Sequence, residues 1–296
     1  MFTTVISNIK QLVNVRDQHQ LLRGKDLSSL PCIDDAYLII ENGIIAEYGE
    51  MSKFQLTDRE FDQNIDAAGQ LVLPCWCDSH THLVFAASRE EEFVDKINGM
   101  SYAEIAARGG GILNSARKIE AASERELLQS ARARLMEVIQ MGTGAIEIKS
   151  GYGLSVEGEL KMLRVIQQLK GISPIPVKST FLGAHTYPME YKDNHRGYID
   201  LIINEMLPVI AREELADYID VFCEKGFFSP AETETICRAG MRFGLKPKIH
   251  ANQLNLSGGT QAGVRLGAIS VDHLETMDEE AIHSLANSNT IGTLLP

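Results

Sequence analysis

From residue 71 onward, short apolar runs alternate with longer amphipathic stretches. The apolar runs fall at 71–82, 145–150, 175–185, 218–224, 246–251, 268–274 and 289–295. Helical periodicity fills intervals at 123–141, 155–170, 198–215, 230–243 and 277–287. In the first of these, Leu127, Ala131, Leu135 and Val138 recur at the spacing of a buried face. Glu124, Glu126, Lys161 and Arg164 are expected on exposed faces. Strand–helix alternation of this kind implies a parallel sheet with crossover helices. Seven strands approach a (β/α)8 barrel, which needs ~250 residues. An open doubly wound sheet ranks second, because no Gly-x-Gly-x-x-Gly opens a helix.

The first 70 residues have a different texture. β-like pieces at Thr3 to Ile6, Ala36 to Ile40 and Gly43 to Tyr48 are separated by turn signals, and Asn42-Gly43 between two apolar runs predicts a hairpin. A small β domain, beginning as a sandwich or open barrel, is therefore expected over 1–70, with the barrel over 71–296. The longest interval between barrel strands, 83–144, holds Arg108-Gly109-Gly110-Gly111 ahead of a helix. Long segments after the C-terminal end of a strand are where barrels build their active-site mouths.

Composition narrows the class. Of 296 residues, 44% are apolar and 23% charged, which fits a globular chain and disfavours disorder. With 28 Lys+Arg against 40 Asp+Glu the net charge is −12, so nucleic acid and anionic membranes are not expected partners. An anionic substrate would need a local cation. No run reaches the ~20 apolar residues of a membrane span. Met1-Phe2-Thr3-Thr4-Val5 lacks the layout of a signal peptide. Five scattered cysteines (Cys32, Cys75, Cys77, Cys223, Cys237) suit a reducing cytoplasm.

The strongest chemical signal is Asp78-Ser79-His80-Thr81-His82 at the end of the first barrel strand. Side chains alternate along a strand, so His80 and His82 share a face and can hold one metal ion. By the same parity Cys75 and Cys77 turn away and are expected as small core residues. His185, His250 and His273 fall at or near other strand ends, which converge in a parallel barrel. His19, His195 and His283 read as solvated or structural. A zinc or iron site of this kind activates water, which points to hydrolysis or deamination of a small polar molecule.

The runs Asp66-Ala67-Ala68-Gly69-Gln70-Leu71-Val72-Leu73-Pro74 and Asp78 to His82 resemble the amidohydrolase superfamily. Its members join a metal-dependent (β/α)8 barrel to a β-sandwich. Within it, the blocks His82 to Phe93, Ser101 to Ile112, Glu147 to Leu154, Phe181 to His185 and His250 to Leu254 resemble the imidazolonepropionase family. That resemblance implies hydrolytic ring opening of 4-imidazolone-5-propionate to N-formimino-L-glutamate in histidine degradation, by a cytoplasmic homodimer. It implies one divalent or trivalent ion, zinc or iron, on His80, His82 and His250. Two-metal members of the superfamily carry a bridging lysine on the fourth barrel strand, for which Val221-Phe222-Cys223-Glu224-Lys225 offers no clear equivalent.

The same resemblance implies that Arg89 pairs with the substrate propionate, that Tyr102 also contacts it, and that Tyr152 and His185 line the ring pocket. Gln253 is expected to hydrogen-bond substrate. Because some relatives carry Glu there, His273 becomes the stronger candidate for orienting the attacking water or stabilising the oxyanion. The family continues into an eighth strand whose aspartate completes the metal site, whereas this sequence stops at Leu294-Leu295-Pro296. The isolated chain is therefore expected to bind metal weakly and turn over poorly. Other cyclic-amide hydrolases or aminohydrolases, or an inactive metal-binding fragment, are the competing expectations.

Overall fold

The computed structural model describes residues 2–18, 21–55, 60–100 and 110–295. The chain divides into two compact units, Met1–Cys75 and Trp76–Pro296.

The first unit is built on a five-stranded sheet. Strands β1 (Thr3–Val13), β2 (Cys32–Glu41), β3 (Ile44–Glu50) and β4 (Gln63–Asp66) lie in the order β3-β2-β1-β4, and β5 (Leu71–Val72) also pairs with β1. The predicted hairpin is present. Glu41 faces Ile44, and Asn42 and Gly43 take φ of 52° and 82°, the left-handed pair that a two-residue turn needs. Alternation along β2 serves both faces. Ala36 and Leu38 join Ile9, Leu12 and Ala67 in one cluster, while Tyr37 and Ile39 join Val5 in another.

The second unit is a curved sheet of seven parallel strands in sequential order. They are β6 (Trp76–Thr81), β7 (Thr143–Lys149), β8 (Val177–Ala184), β9 (Tyr218–Cys223), β10 (Lys246–Ala251), β11 (Ser270–His273) and β12 (Ile291–Leu294). Each apolar run read from the sequence overlaps one of them, with β7 starting two residues earlier than expected. Helices follow every strand but the last: α1 (Glu90–Ile97), α2 (Gly111–Ala121) and α3 (Glu124–Gln140) after β6, and α4 (Val156–Ile172) after β7. After β8 come α5 (His195–Leu201), a π turn (Ile202–Met206) and α6 (Leu207–Arg212). The series ends with α7 (Pro230–Arg242), α8 (Gly259–Leu266) and α9 (Glu279–Ala286). This is the α/β barrel expected rather than an open doubly wound sheet. The periodicity over 198–215 breaks because Pro208 donates no hydrogen bond to the preceding turn, and the ladder widens there.

Strand parity sorts the side chains. Ile146, Ile148, Ile219, Val221, Ile249 and Val271 join the apolar core shared with the helices. The alternate positions Glu147, Lys149, Asp220, Lys248, His250 and Asp272 are also buried, and these polar residues fill the barrel interior. His80 meets Asp272 across 192 residues, from the first strand to the sixth, and Lys149 meets Asp220 from the second strand to the fourth. Such pairs skip neighbouring strands and so cross the interior.

Two expectations fail here. Cys75 and Cys77 are exposed, not core residues. Among the described residues β6 is a sheet edge that pairs only with β7. Lys161 and Arg164 are half-buried rather than exposed. Lys161 Nζ donates to the carbonyls of Ile119, Glu120 and Ala122 at 3.1, 3.0 and 3.0 Å, satisfying the C-terminal end of α2. Arg164 forks onto Glu213 at 3.0 and 3.1 Å.

Packing of α8 on the sheet depends on glycine. A Cβ on Gly263 would lie 2.4 Å from Val271 Cγ1, and β-branched Val271 has little rotamer freedom to move aside. Gly263→Ala is expected to destabilise the barrel by about 1–3 kcal/mol. The check is a lower urea midpoint at unchanged denaturant slope.

Candidate active site

The parallel strands deliver five imidazoles to one mouth. His80 lies in β6 and His82 just beyond it, His185 follows β8, His250 lies in β10, and His273 ends β11. Ring centroids of His80 and His250 are 4.5 Å apart, those of His250 and His273 5.0 Å, and His82 stacks on His185 at 5.3 Å. His273 and Leu274 take φ of 87° and 65°, a backbone bend uncommon outside glycine that occurs here at the site itself.

Beneath the imidazoles sits a buried ionic cluster. Lys149 Nζ donates to Glu147 Oε1 and Asp220 Oδ2, both at 2.8 Å, and lies 3.6 Å from Asp272 Oδ2. Lys248 Nζ is 2.9 Å from Glu147 Oε2 and 3.4 Å from Asp272 Oδ2, and donates to the Ser79 carbonyl. Burial works against the Lys149 ammonium, but Asp220, Glu147 and Asp272 outweigh it and raise its pKa. Asp272 is held below the usual carboxylate range despite burial, through His80, Lys149 and Lys248. In the His250–Asp220 pair, burial keeps the imidazole neutral while the carboxylate stays charged.

The carboxylates aim the rings. Asp272 Oδ2 is 2.7 Å from His80 Nδ1, and Asp220 Oδ2 is 2.9 Å from His250 Nδ1. Burial also lowers the pKa of His82 and His273, and takes His185 down to about 4. Neutral imidazoles keep a lone pair for a ligand. His82 Nδ1 and His250 Nε2 are buried with no hydrogen-bond partner. Ligand nitrogens of His80, His82 and His250 lie within 4.8 Å of one another. Three clustered imidazoles, two of them backed by carboxylates, fit a metal ion. Lys225 at the end of β9 is exposed, so this strand sends no lysine inward.

A cavity of about 510 Å³ opens over this cluster. His80, His82, Arg89, Tyr152, His185, His250, Gln253 and His273 all line it, with Phe93, Ile112 and Phe222 as apolar walls. Arg89 stands at the N-terminus of α1, 3.6 Å from Glu92 and 5.8 Å over the Tyr152 ring, and Lys96 adds a second cation to the wall. Tyr102 lies outside the described residues, as do His19, Arg108 and Gly109. His195 stacks on Tyr187 at 3.7 Å and His283 contacts Asn287, both outside the residues lining this cavity.

Sequence reading missed Glu147, Lys149, Asp220, Lys248 and Asp272. Their signal was present: charges at alternate positions within otherwise apolar strands, on the face that carries His250.

Seven parallel strands with histidines converging at their carboxyl ends define a hydrolase barrel of the amidohydrolase class. The fold is similar to that of 5-methylcytosine deaminase from Klebsiella pneumoniae (TM-score 0.66, 16% identity, 97% of this chain and 64% of that one). It is also similar to atrazine chlorohydrolase from Arthrobacter aurescens in a complex with zinc and atraton (TM-score 0.63, 14% identity, 99% and 65%). The imidazolonepropionase of Flavobacterium johnsoniae is 55% identical over 294 residues, 99% of this chain and 71% of the relative's length. The chain belongs to the imidazolonepropionase family. No family profile matches it.

Two outcomes follow from the electrostatics. Lys149→Met would leave Glu147, Asp220 and Asp272 crowded together, and is expected to cost about 3–5 kcal/mol in chemical unfolding. For His185 the folded pKa lies below the unfolded value, so the unfolded chain binds more protons between about pH 6.5 and 4. Stability of metal-free protein should fall by about 3 kcal/mol as pH drops through that window, and His185→Gln should remove this part of the pH dependence.

Proposed function

We propose that this chain hydrolyses 4-imidazolone-5-propionate to N-formimino-L-glutamate in histidine degradation, with one zinc or iron ion on His80, His82 and His250. The observation that carries the reading is a cavity with unpartnered, neutral imidazoles at its floor and Arg89 at its wall. A bound zinc or iron ion supplies Lewis acidity and makes water a competent nucleophile near neutral pH.

The chain's own residues do the rest. Arg89 grips the propionate, since guanidinium pairs with carboxylate bidentately. Tyr152 and His185, side by side in the pocket wall with ring centroids 5.3 Å apart, offer hydrogen-bond donors to the imidazolone ring. Gln253 hydrogen-bonds the ring amide. His273, its pKa lowered by burial and its Nδ1 3.1 Å from Glu275, orients the attacking water through Nε2. The amide C–N bond then breaks, and the ring opens. A neutral cyclic amide would bring no anionic group to Arg89 and Lys96, which argues against the nucleobase-type alternatives. We place the reaction in the cytoplasm, which the five free cysteines fit, and read the protein as a homodimer on its family resemblance.

The test follows loss of substrate ultraviolet absorbance with the chain in its full reading frame, with and without a chelator. Turnover that the chelator abolishes supports the reading. Arg89→Met should raise KM about 10–100-fold while metal per chain stays unchanged, the scale of a lost charge-assisted hydrogen bond. Unaltered KM would remove Arg89 from the substrate site.

A further inference from the structure

Glu159 is a fully buried carboxylate that the reaction does not use. It stands in the first turns of α4, yet it serves the loop before the helix. Its Oε2 accepts from Gly151 N at 3.1 Å, and its Oε1 accepts from Gly153 N at 2.7 Å and Leu154 N at 3.0 Å. The helix has no need of it as a cap, because Ser155 already accepts from Gly158 N. Burying a carboxylate is unfavourable unless its hydrogen bonds are made, and three backbone donors at one side chain meet that need.

The loop it holds is conformationally demanding. Gly151 takes φ 110° and Leu154 φ 52°. A Cβ on Gly153 would lie 2.2 Å from Glu159 N, so the loop rests directly on the helix. Tyr152 sits between the two anchored amides of Gly151 and Gly153. The Gly151 carbonyl lies 2.9 Å from His185 Nδ1, which sets that ring's tautomer and plane. One carboxylate thus fixes the backbone under two walls of the cavity.

We propose that Glu159 is a positioning residue of the substrate pocket, acting through Tyr152 and His185 and touching neither substrate nor metal. This rests on the reading of Tyr152 and His185 as substrate contacts. The geometry assigns Glu159 a role in substrate affinity, because its bonds go to the backbone amides that carry Tyr152 and, through the Gly151 carbonyl, to His185.

The experiment compares Glu159→Gln with Tyr152→Phe in the metal-loaded enzyme. Glutamine keeps the shape but turns an NH2 group toward backbone donors, so at least one of the three bonds is lost. The expected result is a KM raised about tenfold or more, with kcat within about threefold and metal per chain unchanged. Amide exchange at Gly153 and Leu154 should quicken at the same time. A merely structural role would instead lower metal content and the active fraction and leave KM alone, and that outcome overturns the proposal. If Tyr152→Phe raises KM and Glu159→Gln does not, the proposal fails while the pocket reading stands. If neither changes KM, the pocket reading fails first. Should Glu159→Gln not fold, Glu159→Asp, which retains charge but retracts by one methylene, is read by the same criteria.

Discussion

The buried ionic cluster of Glu147, Lys149, Asp220, Lys248 and Asp272 is the interaction on which the barrel and its site depend. Four strands contribute to it, and the Lys149–Asp220, Lys149–Asp272 and Lys248–Glu147 contacts pass between strands that are not neighbours. Ladder hydrogen bonds hold adjacent strands but do not by themselves set the curvature of the sheet. Ion pairs across the interior do, because buried charges are tolerated only while their partners stay within reach. The sheet is thereby drawn around its own polar centre, although β6 and β12 are its edges among the described residues.

The same cluster organises the chemistry in layers. At the bottom, Lys149 and Lys248 lie within ion-pair reach of Glu147, Asp220 and Asp272, so carboxylates outnumber ammonium groups by one. Above them, Asp220 and Asp272 present single oxygens to the back nitrogens of His250 and His80. Those rings are thereby aimed at a common point, and burial disfavours the imidazolium form of His250. At the wall, Arg89 and Lys96 supply positive charge where an anion would enter, in a chain whose net charge is −12. Buried carboxylates recur around the mouth. Glu224, at the end of β9, accepts from the amides of Leu254 and Asn255 next to Gln253, much as Glu159 does beneath Tyr152.

Much of this was legible in the sequence. The seven apolar runs locate the seven strands because parallel barrel strands are buried on both faces and read as continuous apolar blocks. His80 and His82 declare a shared face by their spacing alone. Other features were not legible. Helices α1, α2 and α8 carry too short a period, or too many glycines, to stand out. Cys75 and Cys77 have the right parity for the outward face, but parity does not reveal whether a helix covers that face. Lys161 reads as a surface residue because only the folded chain brings the end of α2 beneath it.

Composition and spacing by themselves determined the α/β class, the strand that carries the histidine pair and the set of imidazoles that converge. These follow from local rules, the two-residue repeat of a strand and the burial of a parallel sheet. Tertiary structure alone decided which carboxylate backs which histidine, that two lysines pair with carboxylates inside the barrel, and that Glu159 and Glu224 hold the mouth loops. The partners in those bonds lie from 2 to 192 residues apart, with Lys149 bonded to Glu147 and His80 to Asp272. Electrostatic pairing depends on distance in space, and only the closed curvature of the sheet brings such distant positions to about 3 Å.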